Sequence, residues 1–288
     1  MLKKHVILFI FCICLYTMYG QITQRYTIAD EKDIKSLDFT FFSPIGESFF
    51  TAVDNSYIVK IHGDFQEGTI RSNLKKSKVN DLQKVHLDLT TVNKSSSLFD
   101  IFSSQEDLYN RWNVYFSKQK KINLQLIYGY GKSYLDLAGL SVQKLKIITS
   151  GAKVISDYSV YTENPIKMDS LHVIAELGKV RLNNMHLYDV EYVQTTIDFG
   201  TVDMDFSKNE NDYIPINAVI GAGTFTVKLP KDKNVPVQIK ISSTLLSTIQ
   251  LPPNYKKVSE GVYQNKAYKH NKGLNFEIQV SFGKVLFE

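Results

Sequence analysis

Four times between residues 178 and 287 the chain repeats one phrase: glycine, Lys or Thr, an apolar residue, any residue, an apolar residue. The copies are Gly178-Lys-Val-Arg-Leu182, Gly200-Thr-Val-Asp-Met204, Gly223-Thr-Phe-Thr-Val227 and Gly283-Lys-Val-Leu-Phe287. Gly131-Lys-Ser-Tyr-Leu135 and Gly46-Glu-Ser-Phe-Phe50 are weaker copies, and Gly151-Ala-Lys-Val-Ile155 fits with its strand displaced by one. The glycines at 131, 151, 178, 200 and 223 lie 20, 27, 22 and 23 residues apart. Each phrase follows a second alternating run, such as Leu171-His-Val-Ile-Ala175 or Phe276-Glu-Ile-Gln-Val280. Two short strands and a glycine at this period predict an all-β solenoid, a stack of β-helix-like rungs of about 20–27 residues. Glycine suits the corner because stacked rungs leave little room there for a Cβ.

Period-two alternation rich in Ile, Val, Tyr, Phe and Thr extends from Asp38 onward, as in Val85, Leu87 and Leu89 alternating with His86 and Asp88. Within Ser104–Lys118, Ser104-Gln-Glu-Asp resembles a helix start, but Trp112-Asn-Val-Tyr-Phe116 returns to strand chemistry. The interval from 223 to 283 holds a strand pair without glycine around Val235 to Ile249. Leu251-Pro-Pro-Asn254 and a lysine-bearing loop follow before the last rung. The expected organisation is a signal peptide over 1–20, a β segment over 21–120 that caps or continues the solenoid, and a repeat region over 121–288. The repeat region carries a loop insertion near 250–273.

Leu135-Asp-Leu-Ala-Gly-Leu-Ser-Val-Gln-Lys-Leu-Lys-Ile147, with the glycine rungs through Ile220-Gly-Ala-Gly-Thr-Phe-Thr-Val-Lys-Leu-Pro230, resembles the toast-rack family. These bacterial extracytoplasmic β-solenoid domains are similar to the C-terminal domain of LiaF-like cell-envelope stress proteins. The resemblance is strongest over residues 120 to 230. It implies a fold and a compartment, the cell envelope, more than an activity.

The first twenty residues suggest the same compartment. A basic start, Met1-Leu-Lys-Lys-His5, precedes the apolar run Val6 to Leu15 and smaller residues up to Gly20, the order of a secretory signal peptide. An uncleaved anchor is the alternative, although the run to Gly20 falls short of the roughly 20 residues of a spanning helix. Cleavage leaves no integral membrane span and takes away both cysteines, Cys12 and Cys14. The rest of the chain therefore has no disulfide, thiolate zinc site or catalytic cysteine, in keeping with a periplasmic, outer-envelope or secreted destination. Loss of Lys3 and Lys4 leaves 32 basic against 29 acidic residues, a charge of +3. The lysines are scattered in small groups without the dense stripe that a nucleic-acid partner requires.

No motif for catalysis emerges. Asp203 and Asp205 share one strand face, with Asp198 just before the corner, but Ca²⁺ needs six to eight oxygens, and a soluble strand face explains the same residues. His62, His86, His172, His186 and His270 have no metal-ligand spacing. Tyr128-Gly-Tyr-Gly-Lys-Ser133 lacks the rest of a phosphate loop and reads as a solenoid corner. No metal and no cofactor are expected. The chain has 17 Tyr and 17 Phe. Tyr130, Tyr134, Tyr158, Tyr188 and Tyr192 recur near corners at similar phase and define a candidate outward ladder for a sugar or protein partner. Plain cross-strand packing is the other reading.

The leading expectation is a non-enzymatic interaction or scaffolding module of the bacterial envelope, whose partner is another envelope protein or a glycan. A secreted carbohydrate-binding or carbohydrate-active protein is the first alternative, and an adhesin-like surface protein with exposed solenoid ends is the second.

Overall fold

The computed structural model describes residues 20–54, 56–92, 109–210, 213–270 and 272–288. Residues 1–19 of the signal segment, with both cysteines, and Ser104-Gln-Glu-Asp lie outside these residues. Among the described residues the regular structure is twenty-three strands and one 3₁₀ turn at Met185–Leu187. No helix among the described residues is long and apolar enough to cross a membrane.

The chain begins with β1 (Gln21–Ala29), β2 (Ser36–Ser43), β3 (Glu47–Val53), β4 (Tyr57–Gln66), β5 (Ile70–Val79), β6 (Leu82–Thr91) and β7 (Asn110–Ser117). Five strand pairs follow, each with a three-residue corner at its centre. They are β8 (Lys121–Tyr128) with β9 (Lys132–Asp136), β10 (Ser141–Thr149) with β11 (Lys153–Asp157), β12 (Ser170–Ala175) with β13 (Lys179–Leu182), β14 (Val193–Ile197) with β15 (Thr201–Asp205), and β16 (Ile214–Ile220) with β17 (Thr224–Lys228). The remainder is β18 (Val237–Ser243), β19 (Thr248–Gln250), β20 (Lys256–Ser259), β21 (Val262–Gln264), β22 (Leu274–Val280) and β23 (Lys284–Phe287).

The first strand of each pair joins a twelve-stranded back sheet, ordered β20-β21-β18-β22-β16-β14-β12-β10-β8-β2-β6-β5. The second joins an eleven-stranded front sheet, ordered β1-β4-β7-β3-β9-β11-β13-β15-β17-β23-β19. From β2 to β18 and from β7 to β19 all neighbours are parallel, the arrangement of a stacked-rung solenoid. Alternate residues of both sheets point inward and form one core, from Phe39 and Phe41 through Leu145 and Val173 to Phe276 and Phe287. A buried hydroxyl cluster interrupts it: the Ser48 Oγ donates to Ser133 Oγ at 2.9 Å, and the Ser133 Oγ to the Tyr128 hydroxyl at 2.7 Å.

Each corner bonds to the one below it. The N–H groups of Glu176, Leu177 and Lys179 donate to the carbonyls of Thr149, Ser150 and Ala152 at 2.9, 2.9 and 3.0 Å, and the next rungs repeat this pattern. Such stacking is what requires glycine. A Cβ on Gly200 or Gly283 would stand 2.5 Å from the carbonyl oxygen of Gly178 or Gly223, and one on Gly131 would strike the Gly46 carbonyl oxygen. Gly46 and Gly131 also have φ of 117° and 114°, which L-residues rarely adopt. Gly178 is crowded by Thr149 and Ala152, Gly223 by Gly200 and Ile197. In the displaced corner Ala152 takes the third place, and Gly151 makes room for the Tyr130 ring.

Longer crossovers close the opposite edge, and their side chains, including Leu137, Leu140, Tyr158, Met168, Met185 and Phe206, complete the core. Segment 21–120 adds the β2–β3 rung and the parallel strands β6 and β7. Antiparallel β1, β4 and β5 then cover that end. At the other end the order in space departs from the order in sequence. The final strands β22 and β23 lie between β16–β17 and β18–β19, so the last glycine rung does not close the stack. The outermost corner is Thr244–Ser247, one residue longer than the others, with the Ser247 N–H donating to the Thr244 carbonyl at 3.3 Å. A longer corner without glycine fits only where no further rung stacks outside it. Segment 250–273, expected as a loop, includes the β20–β21 hairpin that extends the back sheet.

Candidate binding face

Parallel in-register pairing brings equivalent outward residues of successive rungs into straight rows across the back sheet. One row runs His86, Thr40, Gln125, Lys146, His172 and Gln194, and continues through Asn217, Glu277 and Lys240. Its hydrogen-bonding groups repeat at the spacing of the strands, about 4.8 Å. A parallel row holds Asp38, Asn123, Lys144 and Ser170, and Asn123 donates to Asp38 at 2.7 Å. Between the rows lies a depression of about 550 Å³ lined by Asp38, Asn123, Gln125, Lys144, Lys146 and His172. Burial, helped by the Lys146 charge, holds the His172 imidazole below its ordinary pKa.

Further along the same face is a smaller depression of about 190 Å³, lined by Tyr213, Asn217, Gln238, Tyr268, Asn275 and Glu277 among others. Gln238 donates to the Tyr268 hydroxyl at 3.3 Å. Beside it Tyr192 accepts a 3.0 Å hydrogen bond from Asn217 and meets His172 edge to face at 6.2 Å. Aromatic area next to amides is the chemistry that holds a sugar or a polar peptide.

Residues 21–168 match the family model described as the N-terminal domain of toast_rack, DUF2154. This match spans just over half of the chain. The chain belongs to the toast-rack family. The matched span includes the Leu135–Ile147 phrase but begins well before the 120–230 region that carried the resemblance in sequence. Among solved structures, the toast-rack chain is similar to a candidate cell adhesion protein from Clostridium sporogenes, at 16% identity over 93% of this chain and 99% of that one, with a TM-score of 0.45. It is also similar to candidate adhesins from Bacteroides fragilis (11% identity, 93% and 97% covered, TM-score 0.34) and Parabacteroides merdae (10%, 93% and 96%, 0.32). No curated protein matches it.

The tyrosines of the toast-rack chain do not form the expected outward ladder. Tyr158 and Tyr188 are buried, with their rings edge to face at 5.0 Å, and the Tyr188 hydroxyl donates to Ser156 at 2.8 Å. Both lie on the crossover side of the rungs, where the connections rather than the corners seal the core. Burial raises both phenol pKa values far above the ordinary one. Tyr130 sits at a corner, Tyr134 stacks on Phe49 at 5.3 Å on the front sheet, and Tyr192, just before β14, lies against His172 and Asn217 of the back sheet, so the remaining three form no continuous ladder.

Asp203 and Asp205 do share the outer face of β15, as their spacing predicts. Asp203 is paired with Lys179 at 3.1 Å and Arg181 at 3.4 Å, and Asp205 with Lys228 at 3.9 Å. Partial burial opposes ionisation of Asp205, but hydrogen bonds from Ser207 and the charges of Lys228 and Lys208 hold its pKa below the ordinary value. Among the described residues no group of three or more His, Cys, Asp and Glu is arranged to hold a metal ion.

The sequence reading missed Asn217, Tyr213, Tyr268 and the row itself. A signal for the row was present: Thr40, Gln125, Lys146, His172, Gln194, Asn217 and Glu277 each stand six residues before the third corner residue of their rung.

Proposed function

We propose that this toast-rack protein is a non-enzymatic interaction module that works outside the cytoplasm, in the cell envelope or at its surface. In this reading residues 1–20 direct export and the outer face of the back sheet binds the partner. The observation that carries it is the registered polar row from His86 to Lys240, a wide, open surface held by parallel strands. Such a face offers many hydrogen bonds to an extended partner and no enclosed cavity in which to exclude water from a reaction. Lysines on the edge strands, Lys75, Lys76 and Lys78 on β5 and Lys256 and Lys257 on β20, oppose edge-to-edge growth into a filament.

Crosslinking in envelope fractions tests the proposal. The wild-type chain is expected to capture one specific partner, and the triple variant Lys146→Glu, Tyr192→Ala, Asn217→Ala to lose it while remaining folded. Equal capture by both chains, or none at several crosslinker lengths, refutes it.

A glycan is the second reading, supported by Tyr213 and Tyr268 beside Asn217, Gln238 and Asn275. Calorimetric titration with envelope polysaccharide fragments is then expected to show binding that Tyr213→Ala abolishes. Release of new reducing ends would instead make the protein a carbohydrate-active enzyme.

A further inference from the structure

Each sheet ends in two open edges, and among the described residues three of these four edges are blunted against pairing with another chain. β5 carries Lys75, Lys76 and Lys78, β20 carries Lys256 and Lys257, and β19 has only three residues. β1 is the exception. Gln21-Ile-Thr-Gln-Arg-Tyr-Thr-Ile-Ala29 is nine residues long, has no proline or lysine, and bears Arg25 as its single charge. Its bonding to β4 fixes which backbone groups face outward. The Glu67 N–H donates to the Gly20 carbonyl at 2.8 Å, and along an antiparallel strand this direction alternates from residue to residue. Ile22, Gln24, Tyr26 and Ile28 therefore bond to β4, whereas Gln21, Thr23, Arg25 and Thr27 turn their N–H and C=O groups to the open edge. Ile22 and Tyr26 pack on the core but stay partly exposed. Counted from the β2–β3 rung, the back sheet adds β6 and β5 at this end and the front sheet adds β7, β4 and β1, so β1 overhangs by one strand.

The occupant follows from β1 being complementary to itself. Laid antiparallel against a second copy about a twofold axis at Gln24, its outward groups pair completely, Gln21 with Thr27 and Thr23 with Arg25, each in both directions. Four residues of each copy then exchange about eight backbone hydrogen bonds. On the inner face Ile22 meets Tyr26 of the second copy, an aliphatic–aromatic pair of the kind that stabilises sheets, and Gln24 meets its own copy. On the outer face Asp64 lies across from Thr23 and accepts its hydroxyl at 2.7 Å. Arg25 of the second copy comes to the far side of that Thr23, two strands or about 10 Å from Asp64, which sets opposite charges in one row. Neighbouring centres fit worse. An axis at Arg25 sets the two guanidinium groups directly opposite each other, and one at Tyr26 carries the pairing into the register shift between Ile28 and Ala29. The overhang of β1 keeps the lysine-bearing β5 edges of the two copies about 14 Å apart, beyond the screening length of about 8 Å. We propose that two copies of this chain join through β1, antiparallel about Gln24, into one continuous front sheet. The contact is isologous and closes at two copies. It does not rest on the polar-face function, which belongs to the back sheet.

Sedimentation equilibrium of the full chain across the micromolar range tests it, and the wild type is expected to double its mass as concentration rises. Thr23→Pro removes an N–H that bonds nothing within its own copy, so the fold is expected to persist while the dissociation constant rises at least tenfold. Thr23→Arg sets an arginine against Arg25 of the second copy and is expected to weaken the dimer likewise; adding Arg25→Glu is expected to restore it. Disulfides read the register in a chain that carries Cys12→Ser and Cys14→Ser. Gln24→Cys faces its own copy at about 4.5 Å between Cα atoms and is expected to crosslink on oxidation. Thr23→Cys stands diagonal to its copy at about 7–8 Å and is expected not to. A monomer at every concentration overturns the proposal. So do dimers that Thr23→Pro and Thr23→Arg leave unchanged, as contact through another surface would produce, and so does equal crosslinking of the Gln24→Cys and Thr23→Cys chains.

Discussion

Replacing Gly200 by alanine adds one methyl group to the middle of the stack, and the geometry states what it meets. The new Cβ would lie 2.5 Å from the Gly178 carbonyl oxygen, 2.9 Å from that of Ala175 and 3.0 Å from the Ala175 Cβ. Ordinary contact begins at 3.4 Å, so backbone must retreat by about 0.9 Å on at least one side. No flexible side chain can give way instead. The same Gly178 carbonyl accepts the Thr201 N–H at 2.9 Å, so opening the gap between these two rungs weakens that bond. Overpacking costs about 1–3 kcal/mol and the weakened bond up to about 1, giving a loss of about 1–4 kcal/mol. Gly221→Ala is the matched control, the first corner residue of the next rung, two positions before its crowded third residue Gly223. Its Cβ would approach only the Asp198 carbonyl oxygen at 3.0 Å, and a cost under about 1 kcal/mol is expected. Urea unfolding followed by far-UV circular dichroism measures both. A Gly200→Ala midpoint equal to that of Gly221→Ala would refute the claim that stacked carbonyls, rather than turn conformation, select glycine at the corners.

Asn164 ties a crossover to β10: it accepts from the Val142 N–H at 3.0 Å and donates to the Val142 and Ile166 carbonyls at 2.7 and 2.8 Å. Asn164→Ala is expected to cost about 2–4 kcal/mol in urea unfolding, because these buried backbone groups lose their partner. Tyr188→Phe leaves the buried Ser156 hydroxyl without its donor and is expected to cost about 1–2 kcal/mol, against less than about 0.5 for Tyr192→Phe at the half-buried face. His62, His172 and His186 all have folded pKa values below the usual 6.5, chiefly through burial and secondly through Lys60, Lys146 and Lys208 respectively. As pH falls through 6.5 the unfolded chain takes up protons first, so stability present above that pH is lost below it. The urea midpoint is therefore expected to fall between pH 7 and pH 5, and His172→Gln to flatten the fall.

The strand–glycine–strand rung was legible because its two rules are local. Alternation fixes which side chains point inward, and a glycine at a fixed distance after each alternating run marks the corner even before the carbonyl of the neighbouring rung that crowds it is known. Reading the tyrosines failed because their phase was measured from the glycine corners. Tyr158 and Tyr188 belong to the opposite edge, where crossovers of differing length fold inward and no repeat records their direction.

The sequence by itself determined the all-β class, the unit of two strands, the position of every glycine corner and the absence of thiols beyond residue 14. Tertiary structure alone decided the stacking order, with β22–β23 slipped between β16–β17 and β18–β19, and with it the surfaces. Asn217 meets Glu277, and β1 stands at an open edge beside β4, only because distant segments pair as neighbouring strands. Periodicity specifies how a rung is built, whereas hydrogen bonding between rungs chooses its neighbours, and the surfaces that can bind a partner are made of neighbours.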